Sequence, residues 1–133
     1  MENLQTRFAG PVLDTGQNAV EVARFYATLL GWRVADQGPD GWWAIVRSPD
    51  DRLKIEFAGS PEYRPPVWPN ADGQQQMMMH IDIEVDNLEA AVATAIQAGG
   101  SEAASQPPDR NPARLRIMLD PAGHPLCLFL HGE

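Results

Sequence analysis

The chain has 133 residues, 44% apolar and 21% charged, enough for one packed domain, and its single cysteine, Cys127, excludes an intramolecular disulfide framework. Ten basic residues against eighteen acidic ones give a net charge of -8 with one lysine, Lys54, so no basic stripe exists to bind nucleic acid or an anionic membrane. No run approaches the roughly 18 apolar residues of a membrane span, and Met1-Glu2-Asn3-Leu4-Gln5 opens no basic-then-apolar leader, so a reduced cytoplasmic setting is expected.

In chain order, Gly10-Pro11-Val12-Leu13 reads as a short strand. A helix is expected from about Asn18 to Leu30. Asn18 is the predicted N-cap and Glu21 its capping-box partner, Val22, Phe25, Tyr26, Leu29 and Leu30 share a face, and Gly31 is the stop. A short strand is possible at Arg33-Val34-Ala35. A hairpin follows, from Trp42 to Arg47, a turn at Ser48-Pro49-Asp50-Asp51, then Leu53 to Ala58. The crossover 59–77 holds Pro61, Pro65, Pro66 and Pro69, which bar helix and central strand. It also carries Tyr63, Arg64 and Trp68, either as a cover for a sheet edge or as a wall of a cleft.

Strand His80–Val85 alternates strictly, with Ile81, Ile83 and Val85 on one face and His80, Asp82 and Glu84 on the other. The same alternation puts Met78 with His80, and Met77 and Met79 on the core side. A second helix is expected from about Asp86 to Ala98, with Asp86 as cap, Glu89 as box partner and Gly99 as stop. A strand near Glu102-Ala103 is less clear. The last hairpin joins Leu115–Leu119 to Leu126–Leu130 through Asp120-Pro121-Ala122-Gly123.

Cap, glutamate and stop glycine recur 68 residues apart, and a strand precedes and a hairpin follows each helix. The chain therefore reads as a single α+β domain of two β-α-β-β-β repeats, about 8–58 and 78–131, with mostly antiparallel sheets.

A tandem repeat of this kind resembles the vicinal oxygen chelate superfamily, which includes glyoxalases, bleomycin-resistance proteins and extradiol dioxygenases. The residues that carry the resemblance are Ala23-Arg24-Phe25-Tyr26-Ala27-Thr28-Leu29-Leu30-Gly31-Trp32, His80 through Leu88, and Asp120-Pro121-Ala122-Gly123-His124-Pro125. The crossover Pro61 to Pro69 is similar to that of a glyoxalase-like branch common in actinobacteria. The resemblance implies cupped sheets around a cleft, within one chain or across a dimer. It also implies, in the enzymes of the group, a divalent metal that chelates adjacent substrate oxygens. Its ligands are expected on the first and last strand of each half. In the second half these positions fall on His80 and, in place of glutamate, Cys127. In the first half they fall near Gly10 and on Ile55, with Glu56 one residue away and on the other face unless the register slips.

His80, Cys127 and Glu56 are thus the metal candidates, too few in that alignment for a tight site, and His80 is the candidate catalytic group. Cys127 also reads simply as a small buried residue, and His80 as a histidine bonded to Asp82. His124 reads as an exposed turn residue.

The expected function is binding of a small organic molecule in an apolar-aromatic cleft lined by Trp42, Trp43, Tyr63, Trp68, Met78, His80, Asp82 and Cys127. The alternatives are a metal-dependent lyase, isomerase or dioxygenase, and a drug-sequestering resistance protein. The apolar-aromatic surface predicts a homodimer, against a monomer whose halves close on each other.

Overall fold

The computed structural model describes residues 4–133; Met1–Asn3, within the stretch read for a leader, lie outside the described residues. The elements are β1 (Val12–Thr15), α1 (Ala19–Leu30), β2 (Arg33–Gln37), β3 (Trp43–Arg47), β4 (Lys54–Gly59), β5 (Ile81–Val85), α2 (Leu88–Gln97), β6 (Ser101–Glu102), β7 (Leu115–Leu119) and β8 (Pro125–Leu130). They form two four-stranded sheets with the same plan, β1-β4-β3-β2 and β5-β8-β7-β6. In each, the first strand lies parallel to the last, because the intervening helix carries the chain across, while the hairpin strands pair antiparallel. The expected α+β architecture is the one observed.

Helix α1 forms where the apolar spacing allows it, and it buries Val22, Phe25 and Tyr26 completely. Gly31 ends it at φ 70°, a left-handed conformation that glycine adopts without a Cβ penalty. The Tyr26 ring lies 5.0 Å from Phe25, edge-on, and stacks 5.5 Å from Phe57 of β4. Gly100 lets the second half approach α1, since a Cβ there would fall 2.6 Å from the Phe25 ring. One core therefore joins α1, α2 and the helix-side faces of both sheets. Burial of each such large side chain contributes roughly 1.5–3 kcal/mol.

The first predicted cap position holds, without its side-chain bond, and the second needs correction. Asn18 stands at the first N-cap but makes no side-chain cap bond; its Nδ2 donates instead to the Pro121 carbonyl, 3.3 Å away in the other half. In the second helix the cap is Asn87, not Asp86: its Oδ1 accepts from the Ala90 N–H at 3.0 Å. Glu89 completes no box and instead meets Arg116 at 2.7 Å, where Glu102 also binds. Met77–Met79 precede the strand rather than extending it, so alternation does not apply, and Met79 is 74% exposed instead of packed in the core.

Candidate functional site

Strand β5 sends Ile83 into the core and holds Asp82 and Glu84 on the opposite face, as its alternation predicts. Parallel pairing sets Asp82 beside Cys127 of β8. His80, just before the strand, places Nε2 3.0 Å from Asp82 Oδ1. One donor atom from each of His80, Asp82 and Cys127 lies within 4.8 Å of the others. Burial, and then the Asp82 carboxylate, push the Cys127 thiol up to about 11, while Arg110 opposes the shift. An imidazole nitrogen, a carboxylate oxygen and a sulfur together suit a borderline divalent cation such as zinc, and three protein donors leave a position open. The residues fit such an ion. Asp82 is the third donor that the sequence alignment lacked.

The first half contributes differently from expectation. Glu56, not Ile55, faces away from the helices: Ile55 is 5% exposed in the core, and Glu56 pairs with Val12 as Cys127 pairs with Asp82. The expected position is one residue out because the β3–β4 turn has six residues against five in the β7–β8 turn, and it passes through Asp51 at φ 60°. Glu56 Oε1 lies 4.0 Å from Lys54 Nζ and is not part of the donor cluster.

Next to His80 a cavity of about 500 Å³ opens between β1, the crossover and the β7–β8 turn. Val12, Leu13, Pro66, the three methionines, Ile81 and Pro125 give it apolar walls, and Tyr63, Arg64, His80 and His124 give it polar ones. The crossover is thus a wall of the cleft. Of the predicted lining residues, Tyr63, Met78 and His80 meet in this cavity, while Asp82 and Cys127 lie on the adjoining sheet face. Trp42 packs over Gly59, Trp43 lies beside Gly38, and Trp68 donates Nε1–H to the Ser105 carbonyl at 3.3 Å; none of the three lines the cavity.

Behind the cavity lies a polar chain that the sequence reading missed. His124, expected to be exposed, has a side chain only 15% exposed, and that of Asp120 is fully buried. The Asp120 carboxylate accepts four hydrogen bonds. The Ala122 and His124 N–H groups donate to Oδ1 at 2.9 and 3.1 Å, and Tyr26 Oη and His124 Nδ1 reach Oδ2 at 2.8 and 2.7 Å. Tyr63 Oη donates to the Ala122 carbonyl at 2.8 Å and stands 3.3 Å from His124 Nε2. Burial and the nearby Asp120 carboxylate raise both tyrosine hydroxyls well above the usual phenol range, so each stays a proton donor. Gly123, at φ 90°, lets Pro65 of the crossover close on this turn. The local signal was an aspartate two residues before a turn N–H, a motif that ties aspartate to its own backbone.

The chain matches the glyoxalase-like domain family over residues 12–129. A search of curated proteins finds no match. Among solved structures, a glyoxalase/bleomycin resistance protein from Albidiferax ferrireducens T118 aligns with TM-score 0.61 and 16% identity, covering 93% of this chain and 98% of that one. A glyoxalase family protein from Enterococcus faecalis gives 0.59 and 20%, covering 92% and 96%. A glyoxalase/bleomycin resistance protein/dioxygenase family enzyme from Burkholderia phytofirmans PsJN gives 0.63 and 15%, covering 92% and 96%. At these identities the neighbours establish the shared fold. The match over residues 12–129, nearly the whole chain, places this protein in the glyoxalase-like domain family, and its two repeated sheets share the fold of glyoxalase/bleomycin resistance proteins.

Proposed function

We propose that this protein binds a small organic molecule in the cavity between β1, the crossover and the β7–β8 turn. The observation that carries the reading is the cavity itself: about 500 Å³, apolar on most sides, with a few convergent polar groups, the usual character of a small-molecule site. Tyr63, Arg64, His80 and His124 would orient the ligand, while the methionines adapt to its outline. A cytoplasmic setting and a homodimer belong to the same reading. The exposed Trp43 and half-buried Ile45, on the side of the first sheet away from its helix, are a surface that a second copy would cover. Equilibrium binding of neutral aromatic probes to the full chain and to Val12→Trp tests the reading. The bulky residue should fill the cavity and abolish binding, and binding unchanged by it would overturn the assignment.

A second reading, a metal-dependent activity, is favoured by the convergence of His80, Asp82 and Cys127. A bound divalent cation would supply Lewis-acid polarisation of a ligand oxygen. His80 and Asp82 offer lone pairs, and Cys127 would release its proton on coordination. Calorimetric titration with zinc should then give one ion per chain, proton release and loss of binding in His80→Ala. Equal uptake by that variant would refute it.

A further inference from the structure

The hydrogen count around His124 leaves one acceptor unused. Asp120 takes Tyr26 Oη–H and both turn N–H groups, and an ionised carboxylate is an acceptor only, so the proton between Asp120 Oδ2 and His124 belongs to Nδ1. In the neutral ring, Nε2 is then a lone-pair acceptor. Among the described residues its one hydrogen-bonding neighbour is Tyr63 Oη, whose single hydrogen points to the Ala122 carbonyl at 2.8 Å. With that hydrogen committed to the shorter bond, Nε2, 3.3 Å from Tyr63 Oη, receives at most a weak share of it, and both groups line the cavity.

From this we infer that His124 Nε2 is the acid–base group of the cavity, and that the ligand class is a neutral aromatic or conjugated molecule with an acidic hydroxyl. The inference rests on the cavity's being a ligand site. The ligand's O–H donates to Nε2. On transfer that O–H bond breaks, the N–H bond forms and the electron pair stays on oxygen. The product is an imidazolium between the Asp120 carboxylate and the new oxyanion. A group held in orientation by a buried carboxylate is well placed for this step.

The other charged and titratable groups around it are Asp14 of β1, Glu62, Tyr63 and Arg64 of the crossover, His80 at the start of β5, and Tyr26 of α1. Arg64 is a cation available to the oxyanion. A net charge of -8 disfavours the approach of a preformed anion and leaves a neutral acid free to enter.

The probes are para-nitrophenol and, as the analogue lacking the hydroxyl, para-nitroanisole. At a pH below the phenol's own pKa, the full chain should raise the yellow phenolate band saturably. In His124→Gln, which keeps an amide donor for Asp120, the band should vanish and nitrophenol affinity should fall about tenfold or more beyond whatever nitroanisole affinity loses. A purely structural His124 would move stability and leave the band intact. Nitrogen NMR of the wild-type imidazole gives a readout that needs no variant: nitrophenol, and not nitroanisole, should shift His124 to its imidazolium form. Nitrophenol bound without a phenolate band, a band that survives His124→Gln, or an unmoved imidazole would overturn the inference while leaving the cavity a binding site. Failure of both probes to bind would remove the cavity reading together with it.

Discussion

Replacing Asp120 by alanine should be among the most destabilising single changes in this protein. The carboxylate holds four donors, and its removal strands them unequally. Tyr26 and Ala122 are both buried, and each lost partner costs about 1–3 kcal/mol. The two His124 donors lie nearer the cavity and can be rehydrated. The expected loss is about 4 kcal/mol, a fall in Tm of roughly 12–20 °C for a chain of this size. Tyr26→Phe removes one donor and strands none, so it should cost about 1–2 kcal/mol. Urea unfolding followed by circular dichroism, with unchanged slopes, would report both values. If Asp120→Ala cost no more than Tyr26→Phe, the carboxylate would not be the hub of this chain of hydrogen bonds.

Further consequences can be checked separately. Asn87→Ala should cost about 1 kcal/mol through the lost cap, measured by chemical denaturation, and Asn18→Ala clearly less, because that side chain caps nothing. Raising the Cys127 thiol from 9.0 to about 11 leaves about a hundredfold fewer thiolates near neutral pH. With the higher nucleophilicity of the more basic thiolate allowed for, iodoacetamide should react roughly tenfold more slowly than with the unfolded chain, and Asp82→Asn should speed it up. The same shift favours the thiol in the folded state. It leaves stability flat below pH 9 and lowers it as pH rises from 9.0 toward 11, a decline that Cys127→Ala should lessen in alkaline melts. Sedimentation at micromolar concentration should give twice 14.6 kDa; the single-chain mass would return the monomer.

The periodic parts of the fold were legible because periodicity is a local property. The alternation of Ile81 to Val85 and the spacing of Val22, Phe25 and Tyr26 each follow from which face is buried. The caps were less legible, since the Asn18 side chain is claimed by Pro121, 103 residues away, which no local pattern records. Glu56 was displaced by a single extra turn residue, and in a strand one residue exchanges the faces. His124 looks like turn surface because Tyr63 of the crossover, whose ring lies 5.8 Å from its own, is placed beside it only by tertiary folding. The donor cluster was half visible: His80 and Cys127 came from the alignment, whereas Asp82 joins them through parallel pairing with β8.

Ligand binding is proposed where the two halves and the crossover meet. Amide and methyl chemical-shift perturbation of the labelled full chain by para-nitroanisole tests it most directly. The shifts should cluster at Leu13, Tyr63, Met78, Ile81 and His124, which face one another across the cavity. Shifts confined to the separate groove of Val85, Ala90, Ala91 and Thr94 beside α2 would contradict it.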